Sequence, residues 1–328
     1  MKKIIFSLCV ALLMTISSSA QQISVVSPNG TTTLYRTLQE SIEGAENGSV
    51  IYLPGGGFQI SDEVKITNKK LTIIGIGHYA NSGNADGVTT ISGNLFFNEG
   101  SSGSAVIGCY ITGNVYIGEG GASVNGVLVR CCNVNSVQVT NGSCVDTEIN
   151  QNYVRSHSSF GGANGKITNN VMCTMNGING GVISNNIFVS NYEYKWEWHG
   201  GTVRYYCAVQ AYNSFLSQNI MTNYGTTPNS GDNCQTSGNL NWGDNPTSFT
   251  VDDWNGVFVN YNGGTISPAS DFHFSERYKR EENKVGIYSG TGFNNQNSSV
   301  PYIIYKDVPT ETDAQGMLKV KIRVKANQ

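Results

Sequence analysis

Four charged residues, Arg130, Asp146, Glu148 and Lys166, have types and spacing that could do chemistry. If Ile149 lies on an inward strand position, alternation turns Asp146, Glu148 and Asn150 outward. One repeat earlier the same column is expected to hold Arg130, and one repeat later Lys166 and Thr168. Stacked strands lie about 4.8 Å apart, so Glu148 and Lys166 come within reach of each other. A polysaccharide lyase needs such a set: a cation, protein-borne or calcium, neutralises a uronate carboxylate while a base removes the adjacent proton. Lys166 or Arg130 could be that base if its pKa were depressed, which is harder for Arg. Two carboxylates about 5–9 Å apart could instead serve glycoside hydrolysis. The plain alternative is a surface charge ladder, in which an exposed Glu148–Lys166 pair contributes about 0–1 kcal/mol.

A second set could bind rather than react. Tyr192, Tyr194, Trp196 and Trp198 alternate with Glu193, Lys195, Glu197 and His199, and Gly200-Gly201 follows. Strand, Gly-Gly and strand predict a hairpin. A two-residue loop pairs His199 with Thr202, Glu197 with Arg204 and Trp196 with Tyr205. One face then carries the four aromatics and Tyr205; the other carries Glu193, Lys195, Glu197, His199, Arg204 and Tyr206. An aromatic strip suits the C–H faces of sugar rings, with flanking charges for hydroxyls or carboxylates. The competing reading is that the aromatics cover the flank of the fold. His157 reads as a solvated loop histidine. No nucleophile-elbow serine or phosphate-cradling glycine loop is found, and Asp232, Asn233 and Asp244 fall short of a calcium loop's spacing.

The elements that must position these residues follow a recurring phrase: an inward aliphatic, two small or polar residues, a position that is usually Asn, then another aliphatic. It reads Ile149-Asn-Gln-Asn152, Ile167-Thr-Asn-Asn170, Ile183-Ser-Asn-Asn186 and Leu216-Ser-Gln-Asn219. Looser copies place the fourth position at Tyr110, Cys132 and Asn239. The interval is close to one coil of a β-solenoid, in which inward side chains stack on those of the next coil and bend asparagines form a ladder. One long interval, Asn186 to Asn219, holds the aromatic hairpin. Insertions in solenoids often mark a binding face.

Of 328 residues only 13% are charged, and 39 are Gly, which suits an all-β chain with many tight turns. The net charge of −3, without a basic block, argues against nucleic acid. Residues 1–20 read as a secretory signal: Lys2-Lys3, an apolar run from Ile4 to Ile16, then Ser18-Ser19-Ala20. No later stretch is apolar for long enough to span a bilayer. Secretion or the cell surface is therefore expected, with the periplasm as the other destination. Seven cysteines remain after the signal, an odd number that prevents complete intramolecular pairing. Those in the phrase (Cys109, Cys131 or Cys132, and Cys173) are expected to fill the core.

Thr33 to Ala45 predicts an amphipathic helix with Leu34, Leu38 and Ile42 on one face. That helix, then "GSVIYLPGGGFQI", then "VKITNKKLTIIGIG", resembles the opening of secreted right-handed parallel β-helix proteins of the pectate-lyase-like superfamily, over roughly residues 25–290. The resemblance implies a helix that caps one end and a closing segment after Asp252 that seals the other. The acidic cluster and Arg motif of the family's calcium-binding lyases are not found. The expected domains are the signal, 1–20, an all-β right-handed parallel β-helix, 21–290, and a strand-bearing tail, 291–328, in which Lys319, Lys321, Arg323 and Lys325 share one face. The expected function is an exported protein that binds polysaccharide or surface glycan through Tyr192, Tyr194, Trp196, Glu197, Trp198, His199 and Arg204. The alternative is a polysaccharide lyase or glycoside hydrolase using either Arg130, Asp146, Glu148 and Lys166 or the hairpin's Glu197, His199 and Arg204. No resident metal or cofactor is expected, and calcium enters only through the lyase alternative.

Overall fold

The computed structural model describes residues 22–59, 64–79, 87–190, 192–198, 201–222, 229–230, 233–240, 256–261, 265–290 and 292–293, and in the tail 302–307, 309, 312, 315–317 and 320–325. The expected signal, Asp232, Asp244 and the Asp252-Asp253 pair lie outside the described residues.

Inward aliphatics build the stack. Val106, Val129, Ile149, Ile167, Ile183 and Leu216 follow one another in parallel register, each with no exposed surface. Each coil contributes one strand to each of three sheets, of 11, 8 and 8 strands. The first sheet opens with antiparallel pairs of Ile23–Val26 with Thr32–Tyr35 and Val50–Leu53; from Val50–Leu53 onward its pairings are parallel. The chain is an all-β parallel solenoid.

The bend from first to second sheet carries the phrase. Asn152, Asn170, Asn186, Asn219 and Asn239 are fully buried. Each Oδ1 accepts from the backbone N–H one coil back, at 2.8–3.0 Å. From Asn152 to Asn219, each Nδ2 also donates to the next Asn Oδ1 at 2.9–3.0 Å. Cys132 and Cys109 continue the column upward: the Cys109 N–H approaches the Cys132 Sγ at 3.5 Å. The first ladder position is thus Cys109 rather than Tyr110, because Val106, and not the half-buried Ile107, is the inward residue there. The left-handed torsion belongs to the residue before each ladder position, at Cys131, Gln151, Asn169, Asn185 and Gln218. Burial raises the Cys109 and Cys132 thiols, the latter to about 12. Cys131 is also buried, and Cys173 is half-buried.

The amphipathic segment at the N-terminus divides. Thr32–Tyr35 is a strand with Leu34 54% exposed, and the helix α1 spans only Leu38–Gly44. Thr37 stops the helix extending backward: its side chain accepts from the Glu40 N–H while the Glu40 carboxylate accepts from the Thr37 N–H. Leu38 and Ile42 join the core of the coils. At the other end Lys69 Nζ donates to the carbonyls of Ile42, Glu43 and Ala45 at 3.0, 3.0 and 2.9 Å. These are carbonyls that a short helix leaves unpaired. Lys69→Met keeps the apolar stem and removes the donor; a loss of about 1–2 kcal/mol in denaturant unfolding is expected.

Where it is described, at residues 256–261, 265–290 and 292–293, the segment expected to seal an end runs along the flank of the solenoid as a strap. Tyr153, Val171, Ile187, Ile220 and Leu240 are buried against Phe258, Phe272, Phe274, Val285 and Ile287. The strap also pins the left-handed corner. Gln151 Nε2 donates to the Gly292 carbonyl at 2.8 Å, Asn169 Nδ2 to the Ile287 and Ser289 carbonyls at 2.9 and 3.1 Å, and the Gly286 N–H to the Gln218 carbonyl at 2.8 Å. Gly286 has φ 80°, and a Cβ there would meet Ile220 Cδ1 at 2.5 Å, so the close approach requires glycine. The tail forms a separate antiparallel pair, Tyr302–Asp307 with Lys321–Lys325.

Candidate functional site

The corner from third to first sheet holds a cavity. Three turns enter the first sheet here, at strands Thr147–Asn150, Gly165–Thr168 and Val182–Ser184. Asp146 adopts φ 59° just before its strand, and its N–H donates to Asn164 Oδ1 of the next coil at 2.7 Å. A Cβ on Gly165 would lie 2.6 Å from the Thr147 carbonyl, so the coils meet here only with glycine. The resulting cavity, about 310 Å³, is lined by Asp146, Glu148, Asn164, Gly165, Lys166, Gly180 and Val182.

Glu148 pairs in register with Lys166, Lys166 with Val182, and Val182 with Phe215. Val182 and Phe215 are 41% and 40% exposed, so the charged column continues into an apolar one. Asp146 and Lys166 are exposed and Glu148 is half-buried. Among the described residues none of the three carries a side-chain hydrogen bond or ion pair, although Glu148 and Lys166 are direct cross-strand neighbours.

Arg130 does not join them. It pairs with Asn150, two residues along the strand from Glu148, and is absent from the cavity lining. The expected column of Arg130, Glu148 and Lys166 is therefore two columns. Arg130 Nε is buried without a hydrogen-bond partner, and the side chain lies by Cys131, whose thiol burial raises while Arg130 opposes. Asn164, Gly165, Gly180 and Val182 went unnoticed in the sequence. Their signal is the turn pairs Asn164-Gly165 and Gly180-Gly181, each just before a coil's first strand.

The aromatic hairpin exists. Tyr192–Trp198 pairs antiparallel with Gly201–Cys207, and Trp196 faces Val203, Glu197 faces Thr202, and Lys195 faces Arg204. The expected pairing is offset by two residues, since Trp198 faces Gly201 where His199 was expected to face Thr202. Only an odd slip would exchange the faces of a ribbon. His199 lies outside the described residues, as do the side chains of Tyr192, Tyr194, Trp196, Glu197, Trp198 and Arg204. The hairpin leaves the coil between the second-sheet strand Ile187–Phe188 and the third-sheet strand Val209–Tyr212. It thus springs from a different corner than the cavity.

Other titratable groups lie at the strap and, in the case of His157, beside the third sheet. His78 is buried, both ring nitrogens lack hydrogen-bond partners, and its ring meets Tyr153 edge-on at 5.6 Å. Burial lowers its pKa to about 4. Tyr153 in turn meets Phe293, and His273 stacks on Tyr288. Burial pushes the Glu282 carboxyl up, but hydrogen bonds from Lys279 and His273 outweigh it and hold the group below its ordinary value. His157 is half-buried, not solvated, with Nδ1 2.7 Å from Thr174 Oγ1, and burial lowers its pKa. Among the described residues no three or more His, Cys, Asp or Glu converge as a metal site, and no helix is long and apolar enough to cross a membrane.

Coils, ladder and corner cavity define a parallel β-solenoid with a polar groove that grades into an apolar column. No protein-family model, curated protein or solved structure matches this chain.

Proposed function

We propose that this chain is an exported, right-handed parallel β-helix of the pectate-lyase-like kind, capped by α1, that binds polysaccharide or surface glycan at the third-to-first corner. The signal-like residues 1–20 support export to the exterior or the cell surface. One observation carries the binding reading. The cavity presents Asp146, Glu148 and Lys166 with no side-chain partner among the described residues, beside exposed Val182 and Phe215. Sugars need both kinds of surface, polar groups for hydroxyls and an apolar face for ring C–H. The aromatic hairpin is a second contact on the same reading.

The lyase or hydrolase alternative keeps Asp146, Glu148 and Lys166 at the cavity but not Arg130, which lies in the neighbouring column. The test is titration of the mature chain with a panel of soluble polysaccharides. Phe215→Ala and Lys166→Ala are each expected to weaken binding about fivefold to tenfold. Unchanged affinity in both, with loss in Trp196→Ala and Trp198→Ala, moves the site to the hairpin. New unsaturated or reducing ends in the panel establish the enzyme instead.

A further inference from the structure

The charge balance of the groove deepens the glycan reading and rests on it. We infer that the sugar unit seated at Asp146 and Glu148 carries an amine, so that the groove takes an amino-sugar glycan rather than a uronate.

Two carboxylates and one ammonium line the cavity. Lys166 is the cross-strand neighbour of Glu148 and offsets its charge without forming an ion pair with it. Asp146 has no such counterpart: it stands at the corner before the strand, and the other lining residues are Asn164, Gly165, Gly180 and Val182. Arg130, one coil earlier, lies in the neighbouring column, in register with Asn150, and Arg155, the nearest cation by sequence, is absent from the lining and donates to the Ile111 and Thr112 carbonyls. Among the described residues the Asp146 end of the groove is therefore negative and unopposed. A uronate there meets like charge. A neutral sugar gains only neutral–anion hydrogen bonds. A protonated amine gains charge-assisted ones, which are roughly twice as strong as neutral pairs. The ring of the next unit then reaches Val182 and Phe215, one and two coils beyond Lys166, at about 4.8 Å per coil.

The experiment is calorimetric titration of the mature protein, in low salt at pH 6, with three oligosaccharides: β-1,4-linked glucosamine, the same oligomer N-acetylated, and oligogalacturonate. The glucosamine oligomer is expected to bind about five- to tenfold more tightly than the acetylated one, the size of one or two solvent-accessible charge contacts. Salt should shrink that advantage. The double variant Asp146→Asn, Glu148→Gln should abolish it without loss of fold, since Asn tolerates the left-handed torsion at position 146. Equal or tighter binding of the acetylated or galacturonate oligomer overturns the amine and leaves glycan binding standing. So does a preference that survives in the double variant, which would place the amine contact elsewhere. Binding of none of the three, nor of any polysaccharide in the wider panel, overturns the glycan reading as well.

Discussion

Asn186→Ala is expected to destabilise the protein by about 3–5 kcal/mol. Asn186 sits mid-ladder. Its Oδ1 accepts from the backbone and the side-chain amide of Asn170, and its Nδ2 donates to the Ile167 carbonyl and to Asn219 Oδ1. Alanine leaves the Asn170 N–H, the Ile167 carbonyl and one acceptor of Asn219 without these partners, in a place with no exposed surface. Each stranded buried group costs about 1–3 kcal/mol, partly relieved where a neighbour can turn to it. Asn186→Cys should cost less. At Cys132 the chain itself uses a thiol in this column, with Sγ accepting from Cys109 N–H and lying 3.6 Å from the Val106 carbonyl. Denaturant unfolding of the two variants measures both. A loss below about 1 kcal/mol for the alanine variant would falsify the ladder as a source of cohesion.

The second large effect is a pH dependence centred on His78. Its folded pKa, about 4, lies below the ordinary 6.5 because burial disfavours the charged ring. The native state keeps the imidazole neutral while the unfolded chain protonates it. Between about pH 6.5 and pH 4 the unfolded state therefore binds more protons, and stability falls as pH falls. The full loss across that window is about 3 kcal/mol. Glu282 acts lower. Its depressed carboxyl contributes stability above its unfolded value of 4.5 that is lost as pH drops through the folded value. His78→Phe keeps an aromatic edge against Tyr153 and removes the titration. Unfolding midpoints across pH 7 to 4 should slope in the wild type and flatten in the variant. Matching slopes would show that His78 is not held neutral.

Much of the scaffold was legible, and the reasons for the rest are local. Inward alternation around Ile149, Ile167 and Ile183 gave the register that pairs Glu148 with Lys166, because a period of two leaves no freedom once one face is buried. Arg130 was misplaced by aligning faces rather than ladder positions. It lies two residues before Cys132, as Asn150 lies two before Asn152, whereas Glu148 lies four before Asn152. The strap was missed although its trace was present. Val171-Met172, Ile187-Phe188 and Ile220-Met221 are adjacent apolar pairs, and both members are buried, one in the core and one under the strap. A strand apolar on both sides is one covered on both sides. Periodicity reveals that such a cover exists; it does not name the distant segment, Val257 to Ile287, that supplies it. The cavity escaped because glycine turns carry no alternation to read.

The strap changes how the coils come apart. In a plain solenoid each repeat answers only to its neighbours, so coils can unravel singly from an end. Here Gln151, Asn169, Asn185 and Gln218 are all tied to residues 286–292. The coils between them should melt together, as one exchange-protected block, while the coils ahead of Cys131 open separately. The same ties set an order of assembly. Those of Gln151, Asn169 and Asn185 join positions more than a hundred residues apart, up to the 141 between Gln151 and Gly292. The last residues of the domain must therefore arrive before Val171, Ile187 and Ile220 lose their contact with water.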